Sequence, residues 1–238
     1  MRDDMSFQKG LEQLNISLSR KQLDQFMTYY DLLIEKNKVM NLTSITEYEE
    51  VLHKHFLDSL SLVLCPGFAG EGKVIDIGTG AGFPGIPLKI AFPELEILLV
   101  DSLNKRVNFL NEVIEELKLE SIYAIHHRAE DLGHDMEYRE QYDFCVSRAV
   151  ANLSTLSEYC LPFVKMNGYF IPYKSGKVES EIEEAKKAVT LLGGSIINTI
   201  SFILPNTDIE RTFVVTQKNE ETPLKYPRKA GLPSKEPL

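Results

Sequence analysis

Only three cysteines occur in 238 residues. Cys65, Cys145 and Cys160 are widely spaced and odd in number, which suits neither a disulfide framework nor a zinc site and points to a reducing cytosol. Long apolar runs are missing. The opening residues Met1-Arg-Asp-Asp-Met-Ser hold no leader-peptide core, and nothing approaches the roughly 20 apolar residues of a membrane span. The expectation is a cytoplasmic protein with no membrane partner. Positive charge is scarce as well: 26 lysines and arginines face 35 acids, a formal charge of −9. That argues against a general nucleic-acid binder, which normally carries a basic footprint. Internal repeats and low-complexity tracts are absent.

What is present is enough for a core. At 43% hydrophobic, the chain supports one large domain with at most a small attachment. Residues 1–66 read as an N-terminal helical extension packed on that domain. Ser19 and Gln22 form a capping-box pattern, and Leu23, Phe26, Met27, Tyr30 and Leu33 make one apolar stripe. Thr46 with Glu49 starts a further helix carrying His53, His55 and Asp58. From residue 67 to 218 the pattern alternates. Strands are expected at 74–77, 96–100, 121–126, 142–147 and 169–173, with helices at 85–91, 103–117, up to about 163, and 178–192. Two β-rich runs, 195–204 and 211–217, follow with a short connection. They must form an antiparallel hairpin, because a parallel return needs a crossover. Residues 219–238 form a proline-rich tail expected to be irregular. Its last fourteen residues hold Lys225, Arg228, Lys229 and Lys235 against Glu236, a net of +3 on an otherwise acidic body.

The densest signal is Val74-Ile-Asp-Ile-Gly-Thr-Gly-Ala-Gly-Phe-Pro-Gly85. An apolar strand ends in Asp76 and turns through Gly78, Gly80 and Gly82 into a helix, the nucleotide end of an α/β sheet. Gly80-x-Gly82-x-x-Gly85, with Asp101 following at the ribose-acid distance, fits a dinucleotide fingerprint. It equally fits S-adenosylmethionine. Charge favours the second reading. A pyrophosphate wants backbone N–H groups and no adjacent carboxylate, and Asp76 stands two residues before the first glycine. The ammonium, sulfonium and ribose diol of S-adenosylmethionine are all served by carboxylates. A dehydrogenase would also need a further catalytic domain, and no chain is left for one.

Ligands in such sheets sit beyond the carboxyl ends of the strands. Those ends carry Asp76, Gly78, Gly80, Gly82 and Phe83, then Asp101 and Ser102, then His127 to Asp131, then Ser147 and Arg148, then Lys174. Asp101 is placed for the ribose hydroxyls, or it caps the helix that follows. Ala129 and Glu130 could face the adenine, or form a solvated acidic turn. Arg148 closes an apolar strand and could hold the methionine carboxylate, an RNA phosphate or a local acid. No Asn/Asp-Pro-Pro-Tyr/Phe motif for adenine amino methylation and no Pro-Cys pair for C5 attack on a pyrimidine is present. His53 and His55 are two apart and point in different directions on a helix, so they make a poor metal pair; both read as helix surface unless that helix caps the active site. No metal site is expected.

These residues resemble the bacterial 16S ribosomal RNA guanine-N7 methyltransferase G family, also called glucose-inhibited division protein B. The likeness runs nearly the whole length. Its blocks are Asn41-Leu-Thr43, His55-Phe-Leu-Asp58-Ser-Leu60, the glycine loop from Asp76 to Pro87, Arg128-Ala-Glu130, Ser147-Arg-Ala-Val150 and Tyr226-Pro-Arg-Lys-Ala-Gly-Leu-Pro233. The resemblance implies a Rossmann-like class I S-adenosylmethionine-dependent fold, with a mostly parallel seven-stranded sheet. It implies methyl transfer to N7 of one guanine in a loop of 16S ribosomal RNA. It implies cofactor contacts at Gly78, Phe83, Ala129, Glu130 and Arg148, to which Asp76, Gly80, Gly82, Asp101 and Ser102 add from the glycine loop and strand ends. Arg148 is expected to position the reactants without any general base. RNA contacts are expected from Arg128, Lys174, Arg228, Lys229 and Lys235. The expected partner is 16S RNA, the 30S subunit or an assembly intermediate, and the expected state is a monomer. A small-molecule methyltransferase and a non-enzymatic RNA-binding protein are the rival readings.

Overall fold

The structure, a computed structural model, describes residues 4–148, 151–176 and 178–238. Seven strands form one mixed sheet: β1 Gly72–Ile77, β2 Leu95–Asp101, β3 Ile122–His126, β4 Tyr142–Ser147, β5 Val164–Ser175, β6 Gly194–Ile203 and β7 Glu210–Lys218. Their order is β3-β2-β1-β4-β5-β7-β6. The first five pair in parallel, and β7 runs antiparallel to both β5 and β6. Strand order reverses between β1 and β4, which opens a crevice at their carboxyl ends. The anticipated hairpin is therefore present. β5 starts five residues earlier than the sequence suggests. Its register jumps beside Tyr142 and Phe144, and Asn167 adopts a left-handed turn, so the exposed polar stretch Lys165-Met-Asn167 hides the strand.

The N-terminal segment comprises α1 Met5–Gln13, α2 Arg20–Met40, α3 Tyr48–Val51, a π-helical turn Leu52–Leu57 and α4 Asp58–Leu60. The capping box at Ser19 is closed in both directions. Gln22 does more than cap: its amide donates to the Ile90 and Ala91 carbonyls at 2.8 and 3.1 Å. Those carbonyls end α5 (Gly85–Ala91), so one residue starts a helix of the extension and satisfies the end of a helix of the core. Along each strand, alternate residues feed opposite layers. Val74, Leu99, Val146 and Phe213 join Phe7, Phe26, Phe56 and Leu57 of the extension in one cluster. Ile75, Val100, Cys145 and Val214 face the other layer with Leu156, Ala185 and Tyr226.

The remaining helices are α6 Asn104–Glu116, α7 Ala129–Leu132, α8 Leu153–Cys160, α9 Glu179–Leu191 and α10 Leu232–Lys235. The tail beyond β7 has little regular structure but is closely held. Arg139 is buried and donates to the carbonyls of Thr222 and Tyr226 at 2.6 and 3.0 Å. Buried Lys218 bonds Thr222 at 2.6 Å and pairs with Glu140 at 2.9 Å. No helix among the described residues is long and apolar enough to cross a membrane.

Candidate active site

The glycine loop joins β1 to α5. Gly78, Gly80 and Gly82 have φ values of 71°, 63° and 104°, a region in which a side chain is strained. A Cβ on Gly82 would meet Ile86 at 2.5 Å and the Tyr29 hydroxyl at 2.8 Å, whereas one on Gly80 would meet only the Gly78 carbonyl at 4.0 Å. The loop is thus packed behind Gly82 and open beside Gly80. Helix α2 supplies the backing. The Tyr29 hydroxyl donates to the Ala81 carbonyl at 2.5 Å, and its ring lies 5.5 Å from that of Phe83.

Asp76 lies beneath this loop, fully buried. Its Oδ2 accepts from Thr79 Oγ1 at 2.7 Å and from the Gly85 N–H at 2.9 Å, while Oδ1 has no hydrogen-bond partner among the described residues. Burial pushes the carboxyl up to about 7, opposed by those two bonds and by the Arg148 charge. The strand pleat explains its position: Asp76 shares a face with Val74, while Ile77 points the other way. Asp101 is also occupied. Its Oδ2 accepts from the Gly80 N–H at 2.9 Å and its Oδ1 from the Leu103 N–H at 2.9 Å, with Arg106 at 3.3 Å. Asp101 does not cap the helix: Leu103 stands at the N-cap of α6 (Asn104–Glu116) without a side-chain cap, and the Asp101–Leu103 bond closes the turn before it, while Asp101 also ties the end of β2 to the glycine loop.

A cavity of about 210 Å³ opens over the ends of β1 to β4, lined by Gly78, Ser102, Arg128, Ala129, Glu130 and Ser147, with Leu156 and Tyr159 of α8 opposite. Of the expected cofactor residues, Gly78, Ser102, Ala129 and Glu130 therefore share one wall. Asp76 and Asp101 lie behind it and act through the loop. Glu130 is not a solvated turn residue: it is buried, and its Oε1 accepts from the Gly231 N–H of the tail at 2.8 Å. Leu156 and Tyr159 escaped the sequence reading. Their signal was weak, an apolar pair three apart on the helix after β4.

Arg148 turns away from this cavity toward the extension. Its guanidinium donates to the carbonyls of Lys54 and His55 and to Ser59 Oγ, at 3.1 to 3.2 Å, and meets Asp58 Oδ2 at 3.3 Å. Asp58 Oδ1 accepts from Arg211 Nε at 2.8 Å. The local acid named as an alternative is thus Asp58, and the site gains Arg211, which sequence reasoning missed because it lies 153 residues away. His53 and His55 are both buried, against the surface expectation. The π-helical turn sets His53 on Ser6 of α1 and stacks His55 on Phe83 with 4.3 Å between centroids. Burial, then the Arg148 charge, lowers the His55 pKa to about 3, so the ring is neutral.

Arg148, Asp58 and Arg211 border a second cavity of about 420 Å³ at the ends of β4 and β5, together with Tyr173, Lys174 and Glu181. Lys174 pairs with Glu181 at 2.6 Å. Ala151 lines both cavities. The adjoining Ala149 and Val150 of the Ser-Arg-Ala-Val block lie outside the described residues. Among the tail cations, Lys229 and Lys235 are exposed, as is Arg128. Arg228 is not available in the way the sequence suggested. Its guanidinium grips the buried Glu158 carboxylate of α8, with Nη2 to Oε2 at 2.6 Å and Nε to Oε1 at 2.9 Å. In the structure this pair anchors the tail to α8, and an RNA contact by Arg228 would compete with Glu158.

The donor set fits S-adenosylmethionine. An orphaned buried carboxylate oxygen stands near a loop open at Gly80, where a cationic methionine group needs an acceptor. The cavity that holds the expected adenine residues is lined in part by the apolar Ala129 and Leu156 and by the carboxylate of Glu130. Solved structures with this fold include a SAM-dependent O-methyltransferase from Thermotoga maritima, with TM-score 0.53 and 14% identity over 80% of this chain and 72% of that one. Another is M. jannaschii TYW2 in complex with AdoMet, with TM-score 0.50 and 18% identity over 62% and 68%. The ribosomal RNA small subunit methyltransferase G of Lachnoclostridium phytofermentans is 57% identical over the whole chain and 98% of its own length. The protein of that name in Alkaliphilus metalliredigens is 50% identical over all of both chains. The model of the family GidB, rRNA small subunit methyltransferase G, matches residues 22–209, and the chain belongs to that family.

Proposed function

We propose that this S-adenosylmethionine-dependent methyltransferase acts on N7 of one guanine in a loop of 16S ribosomal RNA. It does so as a monomer, on the RNA, the 30S subunit or an assembly intermediate. The family supports an RNA substrate. The observation that carries the choice of atom is the state of the second cavity. Asp58 is paired with Arg148 and Arg211, and Glu181 with Lys174. No described carboxylate lining it is left to take a proton. Guanine N7 has a lone pair and no proton, so it needs no base. Alignment is then the main requirement, and good alignment supplies roughly 7–11 kcal/mol.

The cofactor supplies an electrophilic methyl group. Gly78, Ser102, Ala129 and Glu130 would hold the cofactor in the cavity they line, with Asp76, Gly80, Gly82, Phe83 and Asp101 shaping the loop beside it. Arg148, Lys174 and Arg211 face the acceptor from the other side. Their three positive charges meet two carboxylates, Asp58 and Glu181, so the rim keeps a net charge of +1 toward phosphate or guanine O6. A donor on N7 itself would block the reacting lone pair. Because the major groove of A-form RNA is too narrow to admit side chains, the target must lie in a loop or be flipped out. Mass mapping of modified nucleotides in ribosomal RNA from cells with and without the protein tests the assignment. The expected difference is a single 7-methylguanosine in 16S RNA. A methyl on any other atom, or in 23S RNA, refutes it.

A further inference from the structure

Residues 226–236 run along the outside of the cofactor cavity and touch both of its walls. On α7, the Gly231 N–H bonds Glu130 Oε1 at 2.8 Å. At the end of α7, Pro227 packs so closely on Gly133 that a Cβ there would stand 2.7 Å from Pro227 Cγ. His134 Nε2 meets the Pro227 carbonyl at 2.7 Å. On α8, Arg228 holds Glu158 through its guanidinium and also through its N–H at 2.8 Å. Thr155 donates to the Pro233 carbonyl at 3.0 Å, and Ser234 Oγ donates to the Gly231 carbonyl at 3.1 Å, closing the turn that presents the Gly231 N–H. Glu130 and Tyr159 are both lining residues of the cavity. The segment therefore bridges the two helices that line the cavity, bonding Glu130 on α7 and Thr155 and Glu158 on α8.

We propose that this tail segment is a positioning element for adenine recognition, with Arg228 as its anchor. The inference rests on the reading that Glu130 faces the adenine. A carboxylate on a rotatable side chain selects an amino group only if its orientation is fixed. Here Oε1 is taken by a backbone N–H whose own place is set by the Arg228–Glu158 pair three residues upstream. The second oxygen is then directed by the tail and not by α7 alone. Loss of the anchor would leave the cavity and the glycine loop in place but free Glu130 to rotate. The effect would fall on discrimination of the base more than on the methionine end.

The test compares S-adenosylhomocysteine with S-inosylhomocysteine, which carries an oxygen in place of the 6-amino group, by titration calorimetry on the full chain. A fixed carboxylate accepts from the amino group and repels the oxo group, so the wild type is expected to prefer the adenosyl ligand by about tenfold or more. In Arg228→Ala the preference is expected to fall to about threefold or less. Because that change strands a buried carboxylate, Arg228→Ala with Glu158→Ala is measured beside it, and thermal melts establish that each variant is folded. Ser234→Ala, which removes a tail contact without touching a charge, should move the ratio in the same direction. Glu130→Gln checks the underlying reading, since its amide can donate to the oxo group and should erase or invert the preference. If Glu130→Gln keeps the wild-type ratio, Glu130 does not read the base. If Glu130→Gln changes the ratio while the Arg228 variants keep it, the tail is only a structural strap and the proposal falls alone.

Discussion

The fold alters the chemistry of Asp76, which lies fully buried beneath the glycine loop. Its folded pKa of about 7 stands above the ~3.9 of an unfolded aspartate, chiefly because it is buried. The native chain therefore binds this proton more tightly than the unfolded chain. Its contribution to stability falls as pH rises from about 4 to about 7. A cationic ligand nearby favours the ionised form, so binding should release the proton. Groups around it act in both directions: Thr79, Gly85 and Arg148 lower its pKa and Asp101 raises it. The affinity for S-adenosylmethionine is expected to climb from pH 5.5 to 7, by at most about tenfold per unit, and Asp76→Asn should flatten that slope. A wild-type affinity that is flat over this range in calorimetry would rule the coupling out. The chemical step should behave differently. With the cofactor saturating, single-turnover rates should show no base-dependent rise between about pH 6.5 and 8.5. A tenfold increase per unit there would mean that a proton is removed from the acceptor.

Helix α2 has a functional consequence beyond its packing. The Tyr29 hydroxyl bonds a carbonyl of the glycine loop, and its ring stacks on Phe56 at 5.5 Å. Tyr29→Phe should cost about 1–2 kcal/mol of stability by leaving the Ala81 carbonyl unpaired, and it should weaken S-adenosylmethionine binding by a similar amount. Stability lost with unchanged cofactor affinity would confine α2 to packing. A fragment of 67–238 is expected not to fold, because Phe7, Phe26 and Phe56 belong to the same apolar cluster as the sheet; a cooperative melt of that fragment would refute this. Elements of this kind differ in how well the sequence announces them. The Ser19 cap, the strands and the turn after Asp76 were legible, since each is written in residues a few positions apart. The hairpin followed from the length of a connection. Arg148 with Asp58, Asp58 with Arg211, and Arg228 with Glu158 join residues 70 to 153 apart, and no local pattern predicts such pairings. The π-helical turn was equally hidden, and with it the burial of His53 and His55. The pleat that sends Asp76 and Asp101 behind the cavity was in principle readable. Each shares a strand face with Val74 or Leu99 on the core side.

At the scale of the whole molecule, an enzyme of charge −9 must meet a polyanion. The cations that do so have to be both local and uncommitted. The structure separates the two kinds. Arg228 is consumed by Glu158 and Lys174 is paired with Glu181. Lys229, Lys235 and Arg128 are exposed, and the tail that carries the two lysines is pinned beside the cofactor cavity. A pinned cation loses less freedom on binding than one on a loose tail. Each phosphate contact contributes about 0.7–0.9 to the slope of log affinity against log salt. Lys229→Ala with Lys235→Ala is therefore expected to weaken binding to 16S RNA or 30S particles and to lower that slope by roughly 1.4–1.8. Its affinity for S-adenosylmethionine should stay at the wild-type value, because neither side chain reaches the cavity. Arg228→Ala should do the reverse, disturbing the cofactor while changing the salt slope by less than one contact's worth. Filter binding across a salt series, with calorimetry on the same samples, measures both quantities. A double-lysine variant with an unaltered slope would show that the RNA is held elsewhere, and the basic rim of Arg148, Lys174 and Arg211 would then be the surface to mutate.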